Sequence, residues 1–282
     1  DKMKKIMLPK VYIAYKMSGV FATDYSDASG TLYLDVKNKK WSKDMLELLG
    51  ISISQLPELY ESYETVGNIK LSLASRLGLG EDVKIIIGGG DQAVAAVGGG
   101  IVGENACSVS LGTSGVVFAN SKEFIVDHFN RLHSFCNANG TYHVMGVTLA
   151  AAASLKWWVE NINYSDDYEG ITEEIKEADV SKNVYFLPYL MGERTPHNNP
   201  YARGTFIGMD MTTEKKDMTL AVLEGVAFSL RDTFEIMKDM GINISEITIN
   251  GGGARNPLWC QIMADVLNVK INKVNSEDGP AY

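Results

Sequence analysis

The fold of this chain is decided by residues 83–100, which read VKIIIGGGDQAVAAVGGG. The β-branched run at 83–87 is typical of a short buried strand, and the three glycines after it end the strand. Asp91 and Gln92 follow directly. Strand, glycine turn and polar pair in this order predict an α/β unit that places Asp91 at the carboxyl end of a strand, where α/β sheets hold their chemistry.

Asp91 has two interpretations at this position. Its carboxylate could take a proton from a substrate hydroxyl, because glycines let the backbone approach a ligand closely. It could also merely cap the helix that follows the turn. This segment alone supports the two interpretations about equally.

A second glycine cluster lies at residues 110–115, which read SLGTSG. It separates two β-rich runs at 106–110 and 116–119, so we expect a hairpin. The hydroxyls and free N–H groups of its turn could cradle phosphate oxygens. Taken alone, however, an ordinary hairpin turn is the simpler interpretation.

A third cluster lies at residues 250–257, which read NGGGARNP. It follows a predicted strand at 246–250, and Asn256 is expected to cap a helix that begins at Pro257. A nucleotide could lie on the bare backbone of this turn. A packing turn between strand and helix is the alternative, although three consecutive glycines cost chain entropy and so favour a function.

Further elements follow from hydrophobic spacing and helix-end signals. Helices are predicted at 9–18, 43–49, 71–77, 149–161 and 220–237, and further strands at 142–147 and 269–274. Helices and strands alternate through the whole chain. We therefore expect an α/β fold with a boundary near residue 107.

Composition excludes several classes of function. The net charge is −9, and this acidic surplus removes the attraction that drives binding to nucleic acids or anionic membranes. No apolar run approaches the roughly 20 residues of a membrane-spanning helix, and no secretion signal is visible. Cys107, Cys136 and Cys260 lie far apart, so we expect a reducing, cytoplasmic environment rather than a disulfide framework.

Other motifs are incomplete. The glycines at 88–90 and Ala93 satisfy a dinucleotide-binding pattern, but Leu111 stands where its acidic residue should follow, which disfavours a dehydrogenase. There is no P-loop, and Val116 breaks the serine-hydrolase elbow. The candidate metal ligands match no common zinc spacing; they are His128, His133, Cys136 and His143.

The stretch at 187–197, LPYLMGERTPH, is interpreted as a structural loop. Glu193 and Arg194 could pair with each other or with a distant part of the chain. A surface ion pair is the favoured interpretation, and such pairs contribute only about 0–1 kcal/mol.

Together these stretches resemble the FGGY family of carbohydrate kinases. The resemblance rests on residues 26–31 (SDASGT), 89–93 (GGDQA), 110–115, 133–136 (HSFC), 186–197 and 251–255, all in the family's order. It implies an actin/RNase H-like α/β fold with two lobes and an active site in the cleft between them. Residues 1–107 would be the C-terminal portion of the sugar-binding lobe, and 108–282 the nucleotide-binding lobe.

The resemblance also implies transfer of the γ-phosphoryl group of ATP, with Mg²⁺, to a ketopentose, and D-xylulose is the expected acceptor. Asp91 would be the general base, and Gln92 would contact the sugar. Gly112 and Thr113 would line the phosphate path. The residues expected against the adenosine are Gly252, Gly253, Ala254 and Asn256. No metal ligand is assigned.

Alternatives stay open. The acceptor could be another sugar, polyol or sugar acid, such as ribulose or gluconate, or the chain could be a non-catalytic nucleotide-binding module. The family's opening phosphate hairpin, with its metal-associated Asp, has no counterpart before Asp1, so the first lobe is expected to be incomplete. We therefore expect the 282-residue chain alone to be inactive or very weak. The expected partners are a sugar and ATP, and a homodimer is left open.

Overall fold

The structure is a computed structural model that describes residues 3–178 and 181–273. No helix within these two ranges is long and apolar enough to cross a membrane. The predicted strand at 269–274 is present up to residue 273, and Val274 lies outside the described residues.

The N-terminal part, residues 3–106, contains short helices and three two-stranded sheets. The pairs are β1 with β4 in parallel, and β2 with β3 and β5 with β6 antiparallel. The elements are α1 (Pro9–Ser18), β1 (Ala22–Asp24), α2 (Tyr25–Ser29), β2 (Leu34–Asp35), β3 (Lys40–Trp41), α3 (Lys43–Leu49), β4 (Glu58–Tyr60), β5 (Thr65–Asn68), α4 (Leu71–Leu77), β6 (Lys84–Ile86) and α5 (Asp91–Gly98).

The C-terminal part, residues 107–273 as far as described, is built on one larger sheet. Its elements are β7 (Cys107–Leu111), β8 (Gly115–Ser121), β9 (His133–Cys136), β10 (Tyr142–Thr148), α6 (Ala152–Lys156), α7 (Tyr168–Glu173), β11 (Tyr185–Leu187), β12 (Thr205–Ile207), α8 (Lys215–Asp239), β13 (Glu246–Asn250), α9 (Pro257–Leu267) and β14 (Lys270–Lys273). The shorter turns are 3-10 helices at Ile53–Gln55, Glu174–Glu177 and Gly252–Arg255, and a π-helical turn at Trp157–Ile162.

Several predicted helix ends are confirmed by their capping residues. α1 begins at Pro9 and is followed by Gly19, whose φ of +86° ends the helix. The Ser42 side chain caps α3 by accepting a backbone N–H. Asn256 does the same for α9, with Pro257 as its first residue.

The larger sheet has the order β14-β13-β7-β8-β10-β9. β14, β13 and β7 run parallel to one another, whereas β8, β10 and β9 are joined by antiparallel pairing. The β7–β8 hairpin predicted from the second glycine cluster is confirmed. The largest apolar core lies where α8 and α9 pack on this sheet, and it includes Leu223, Leu230, Met237, Trp259 and Met263.

The helix that begins at Asp91 rests on this larger sheet. Ala96 of α5 packs with Ile101 against Phe118 of β8. A second contact joins the two parts through β9, because the Cys136 N–H donates to Ser29 Oγ at 3.0 Å. Asp91 is therefore carried by a helix in contact with the C-terminal part. The predicted division near residue 107 coincides with the start of β7, but the division into two lobes stays a prediction.

Three predicted elements differ from the structure. The strand at 83–87 is only half buried, because β5 is the one strand that pairs with β6 among the described residues, and Ile86 is 56% exposed. The helix at 149–161 begins at Ala152 and widens into the π-helical turn. The long helix extends five residues before Leu220, since a capping box at Glu214 starts it there.

Candidate active site

The turn at 88–90 is built so that Asp91 is exposed at the first position of α5. Gly88 has a φ of +71°, a conformation that side chains disfavour. A Cβ on Gly89 would lie 3.0 Å from Ser26 Oγ and 3.1 Å from Ser62 Oγ. The glycines are therefore required by the backbone turn and by close approach to two serines.

The capping interpretation of Asp91 is wrong. Gly90 is the N-cap residue of α5, and no side chain in the described part of the chain caps this helix. The Asp91 carboxylate accepts only the N–H of the next residue, Gln92, at 2.7 Å among its described side-chain hydrogen bonds. The carboxylate is exposed and has lone pairs available for a ligand hydroxyl.

A buried polar network supports this turn from behind. Asp24 at the end of β1 is fully buried, and it accepts hydrogen bonds from Ser26 Oγ and, at 2.6 Å, from Ser62 Oγ. Ser26 Oγ then accepts the backbone N–H of Gly90 at 2.9 Å. The residue before Asp91 is thus held by a chain of bonds that ends on a buried carboxylate.

A second carboxylate lies beside Asp91. A Cβ on Gly90 would lie 3.6 Å from the Cα of Asp27, so the backbone of Asp27 packs against the turn. Burial raises the pKa of Asp27; Lys10 opposes this shift, and the carboxylates of Asp24 and Asp91 add to it. The resemblance included residues 26–31 but gave Asp27 no role.

The second and third glycine clusters lie together, at the carboxyl ends of adjacent parallel strands. β7 and β13 pair as far as Ser110 and Asn250, and their turns follow directly. Gly251 has a φ of +89°, and a Cβ there would lie 2.7 Å from the carbonyl carbon of Leu111 and 3.0 Å from the N of Gly112. Only glycine allows the two turns to touch in this way.

The residues predicted to contact the nucleotide differ in their access to solvent. Gly252 is exposed with open space where a Cβ would stand, and Thr113 is exposed. Gly253 and Ala254 are buried; a Cβ on Gly253 would meet the Leu111 side chain. Of the adenosine-site candidates, Gly252 is thus the one that offers open backbone to a ligand.

Asn256 is already engaged within the protein. Its carboxamide oxygen accepts the Trp259 N–H at 3.1 Å, and its nitrogen donates to Thr172 Oγ1 at 3.0 Å. These bonds fix α9 relative to α7. To contact a nucleotide, as predicted, Asn256 would have to share these two hydrogen bonds with the ligand or give one of them up.

The start of α6 supports the Gly112–Thr113 turn, which the sequence patterns did not indicate. The backbone N–H of Ala152 donates to the Gly112 carbonyl at 2.8 Å, and that of Ala151 donates to the Thr113 carbonyl at 2.9 Å. The small side chains of this segment let the two backbones approach. A run of alanines directly after a strand is the one sequence signal that could have suggested it.

Glu193 is buried, so the surface ion pair predicted for it is wrong. Its side chain is 3% exposed, and Oε1 accepts the N–H groups of Leu149 at 2.9 Å and Arg194 at 2.7 Å. Ser114 Oγ donates to the carbonyl of the same Leu149 at 3.4 Å. Glu193 therefore holds the segment between β10 and α6, whose Ala151 and Ala152 contact the Gly112–Thr113 turn. Arg194 instead contacts His133.

The four candidate metal ligands do not form a metal centre. His143 is fully buried and stacks on Phe118, with ring centroids 4.2 Å apart; burial lowers its pKa to about 3. No group of three or more His, Cys, Asp or Glu residues that could hold a metal ion occurs in ranges 3–178 and 181–273.

The site thus consists of two surfaces with different chemistry. An exposed carboxylate on a rigid turn suits proton transfer from a ligand hydroxyl. Two touching glycine turns with open backbone suit an anionic or nucleotide ligand. The two surfaces belong to separate sheets, and α5 joins them because it begins at Asp91 and packs on the larger sheet.

The chain belongs to the FGGY family of carbohydrate kinases. Residues 1–98 match the N-terminal domain of this family, and residues 107–282 match its C-terminal domain. The α/β fold, with its actin/RNase H-like relationship, agrees with the fold expected from the sequence.

Individual relatives agree with this assignment. The chain is 39% identical over 284 residues to the xylulose kinase of Staphylococcus xylosus, covering 100% of this chain and 59% of that relative. A crystal structure described as a xyloylose kinase from Brucella ovis matches with a TM-score of 0.93 and 37% identity, over 99% of this chain and 58% of that one. A gluconate kinase from Lactobacillus acidophilus matches with a TM-score of 0.91 and 27% identity, over 98% and 57%. The chain therefore spans about three fifths of the length of these relatives.

Proposed function

We propose that this chain carries the acceptor site and the nucleotide site of an ATP-dependent sugar kinase whose acceptor is D-xylulose. The observation that carries the proposal is the exposed Asp91 carboxylate, held at the start of α5 by the buried Asp24–Ser26 network. A structural cap would not leave this carboxylate open to a ligand. The name of the Staphylococcus xylosus relative supports xylulose as the acceptor.

In the proposed reaction, Asp91 accepts the proton of the sugar hydroxyl. The resulting oxygen nucleophile forms a bond to the γ-phosphorus of ATP, the bond from that phosphorus to the bridging oxygen breaks, and ADP leaves. Phosphoryl transfer depends mainly on positioning and charge stabilisation. Gln92, the neighbour of Asp91, would orient the sugar.

The touching turns would hold ATP. Gly112 and Thr113 would line the phosphates, since their turn is clamped by α6 and presents backbone to solvent. Gly252 would lie against the adenosine, with Gly253, Ala254 and Asn256 shaping the surface beneath it. Closure of the two parts around the substrates would exclude water.

Mg²⁺ is the ion expected with ATP, and it would neutralise charge on the transferred group. The described residues offer no cluster of three ligands. This fits an ion held largely by the phosphates with one or two protein carboxylates, as is usual for Mg²⁺.

The test uses the protein expressed from its complete gene. ADP release is measured with D-xylulose, D-ribulose and D-gluconate as acceptors, and the phosphorylated product is identified by mass spectrometry. We expect the highest kcat/KM with D-xylulose. Preference for gluconate, the substrate in the name of one structural neighbour, would replace the acceptor but keep the kinase. ATP binding without transfer to any acceptor would favour a non-catalytic nucleotide-binding module.

A further inference from the structure

One lysine that the proposed reaction does not use contacts the turn that carries Asp91. Lys10 on α1 donates from Nζ to the carbonyl of Gly88 at 3.1 Å and to that of Ile87 at 3.4 Å. The same ammonium group lies 2.5 Å from Asp24 Oδ1 and 3.6 Å from Asp27 Oδ2. One cation thus joins the end of β6 to β1 and α2.

Lys10 lies in a region where carboxylates outnumber cations. Three carboxylates face the region: Asp24 from the end of β1, Asp27 from α2 and Asp91 from α5. Among the described residues, Lys10 on α1 is the cation that lowers the pKa of Asp27, whereas Asp24 and Asp91 raise it. About a quarter of the side chains of Lys10 and Asp27 is exposed, so solvent screens their interaction only in part.

We propose that Lys10 is a positioning residue of the acceptor site: its ammonium group holds the turn that presents Asp91 and neutralises the carboxylate of Asp27 beside it. The catalytic part of this inference rests on the proposed kinase function. The structural part does not, because it concerns the turn itself.

A purely structural lysine would behave differently. Its loss would reduce stability and lower activity by the same factor at every pH. Loss of Lys10 removes the only opposing influence described for Asp27, so the pKa of Asp27 should rise further. Asp27 would then stay protonated to higher pH. Because its charge acts on Asp91, the proposed base, the acid limb of the rate profile should move to higher pH as well.

The first measurement is hydrogen–deuterium exchange of the turn, without substrate. Three amides report on it: Ile87 donates to Glu64 O at 3.2 Å, Gly88 to Ser62 O at 3.1 Å and Gly90 to Ser26 Oγ. In Lys10→Met, exchange at residues 87–90 should rise by roughly tenfold or more. Lys70→Met is the matched control, because Lys70 also contacts α1, through the Tyr15 carbonyl, but not this turn.

The second measurement is the pH dependence of kcat/KM for the sugar, made on the protein expressed from its complete gene. Lys10→Met should lower kcat by about tenfold or more, since a small misplacement of a reacting group can cost up to about 100-fold. KM for ATP should change by less than about twofold. The acid limb should move up by about one pH unit, the size of effect that a nearby opposite charge exerts. Lys10→Arg should keep the acid limb of the rate profile where it lies in wild type. Adding Asp27→Asn to Lys10→Met should abolish the shift of this limb.

Unchanged exchange at 87–90 in Lys10→Met overturns the proposal, as does an equal increase in Lys70→Met. If the acid limb of the rate profile does not shift in Lys10→Met, Lys10 does not neutralise Asp27, and that part of the proposal is overturned. If Lys10→Met does not fold, Lys10→Gln carries the test of the charge role, because it keeps a donor but no charge, and its acid limb should still move up. Failure of the wild-type protein to transfer phosphate would overturn the proposed function alone, since exchange still decides whether Lys10 holds the turn.

Discussion

The backbone N–H of Gly90 donates to the side-chain oxygen of Ser26 at 2.9 Å, across 64 residues of sequence. Ser26 in turn donates to the buried Asp24. The residue before Asp91 is thereby fixed by a hydroxyl from α2 rather than by the helix it opens. Residues 26–31 and the glycine turn are separate motifs in the sequence, but they are in direct contact in the structure.

In the protein expressed from its complete gene, replacing Asp91 by asparagine should abolish most of the proposed transfer. Asparagine keeps the shape and the contact to the Gln92 N–H, but it cannot accept the hydroxyl proton. General-base catalysis contributes about 10²–10⁴-fold, so kcat should fall by at least about 100-fold while ATP affinity stays within about threefold. Steady-state kinetics and calorimetry check both values.

The control for this variant is Asp44→Asn. Asp44 also lies in the first turn of a helix, α3, and is exposed, but no site involves it. It should keep wild-type kcat. A loss of less than about tenfold in Asp91→Asn would show that Asp91 is not the base.

The adjacent glycines Gly251 and Gly252 should respond oppositely to alanine. Gly251→Ala forces a side chain into φ +89° against the Leu111 carbonyl, so it should lose about 1–3 kcal/mol of unfolding free energy. Gly252→Ala meets open space and should stay within about 0.5 kcal/mol of wild type. Urea denaturation measures both.

Gly252→Ala should nevertheless weaken ATP binding by about tenfold or more, because the methyl group would stand between the ligand and the backbone. Calorimetric titration with ATP tests this in a variant that remains folded. Wild-type affinity in Gly252→Ala would mean that the nucleotide does not lie against this turn.

Local signals predicted the elements of this fold well. Proline, serine and asparagine signals gave the starts of α1, α3 and α9, and glycines gave the C-terminal ends of α1 and α3, since these signals act within one turn of chain. The π-helical turn at Trp157–Ile162 and the exposed face of β6 were not predicted. Both depend on what packs beside the segment, which spacing alone does not contain.

Sequence signals exist only for the residues that are proposed to contact a ligand, and not for those that support them. Asp91 and the glycine turns have signals in the sequence, because glycine is required where backbone approaches backbone. Lys10, Asp24 and Ser62 have none, because they act across long separations in sequence. Glu193 was misinterpreted because an acidic residue next to an arginine suggests a surface pair, whereas its actual partners are backbone N–H groups.

The ionised carboxylate of Asp127 should stabilise the folded protein, and this contribution should be lost in acid. Hydrogen bonds from the Arg131 guanidinium lower the pKa of Asp127 from 3.8 to about 2, burial opposes the shift, and the N–H groups of Arg131 and Phe129 add to it. The contribution is present above pH 3.8 and is lost as pH falls through about 2. The difference in unfolding free energy between wild type and Asp127→Asn should therefore shrink over this interval, as measured by urea denaturation.

Arg131→Met checks the cause, because it removes the main source of the lowered pKa. The difference in unfolding free energy between wild type and Arg131→Met should shrink over the same pH interval. A difference that is constant with pH in both variants would contradict the assigned ion pair, which has Nη2 and Oδ1 2.8 Å apart.

Glu193 should show the opposite pH dependence. Burial raises its pKa above the ordinary value of 4.5, and the N–H groups of Arg194 and Leu149 oppose the shift only in part. A raised pKa means that the folded state holds the proton more tightly, so the contribution is present below pH 4.5 and is lost as pH rises through the raised value. Wild type should thus lose stability relative to Glu193→Gln as the pH rises from 4.5 through the raised pKa of Glu193.

Glu193→Ala separates this charge effect from the hydrogen bonds. It removes the acceptor for Leu149 and Arg194 at every pH, and one buried N–H left without a partner costs about 1–3 kcal/mol. Because Leu149 also accepts from Ser114 beside the Gly112–Thr113 turn, Glu193→Ala should weaken ATP binding as well, whereas Glu193→Gln should preserve it. Equal ATP affinity in the two variants would show that the Glu193 side chain does not hold the nucleotide turn.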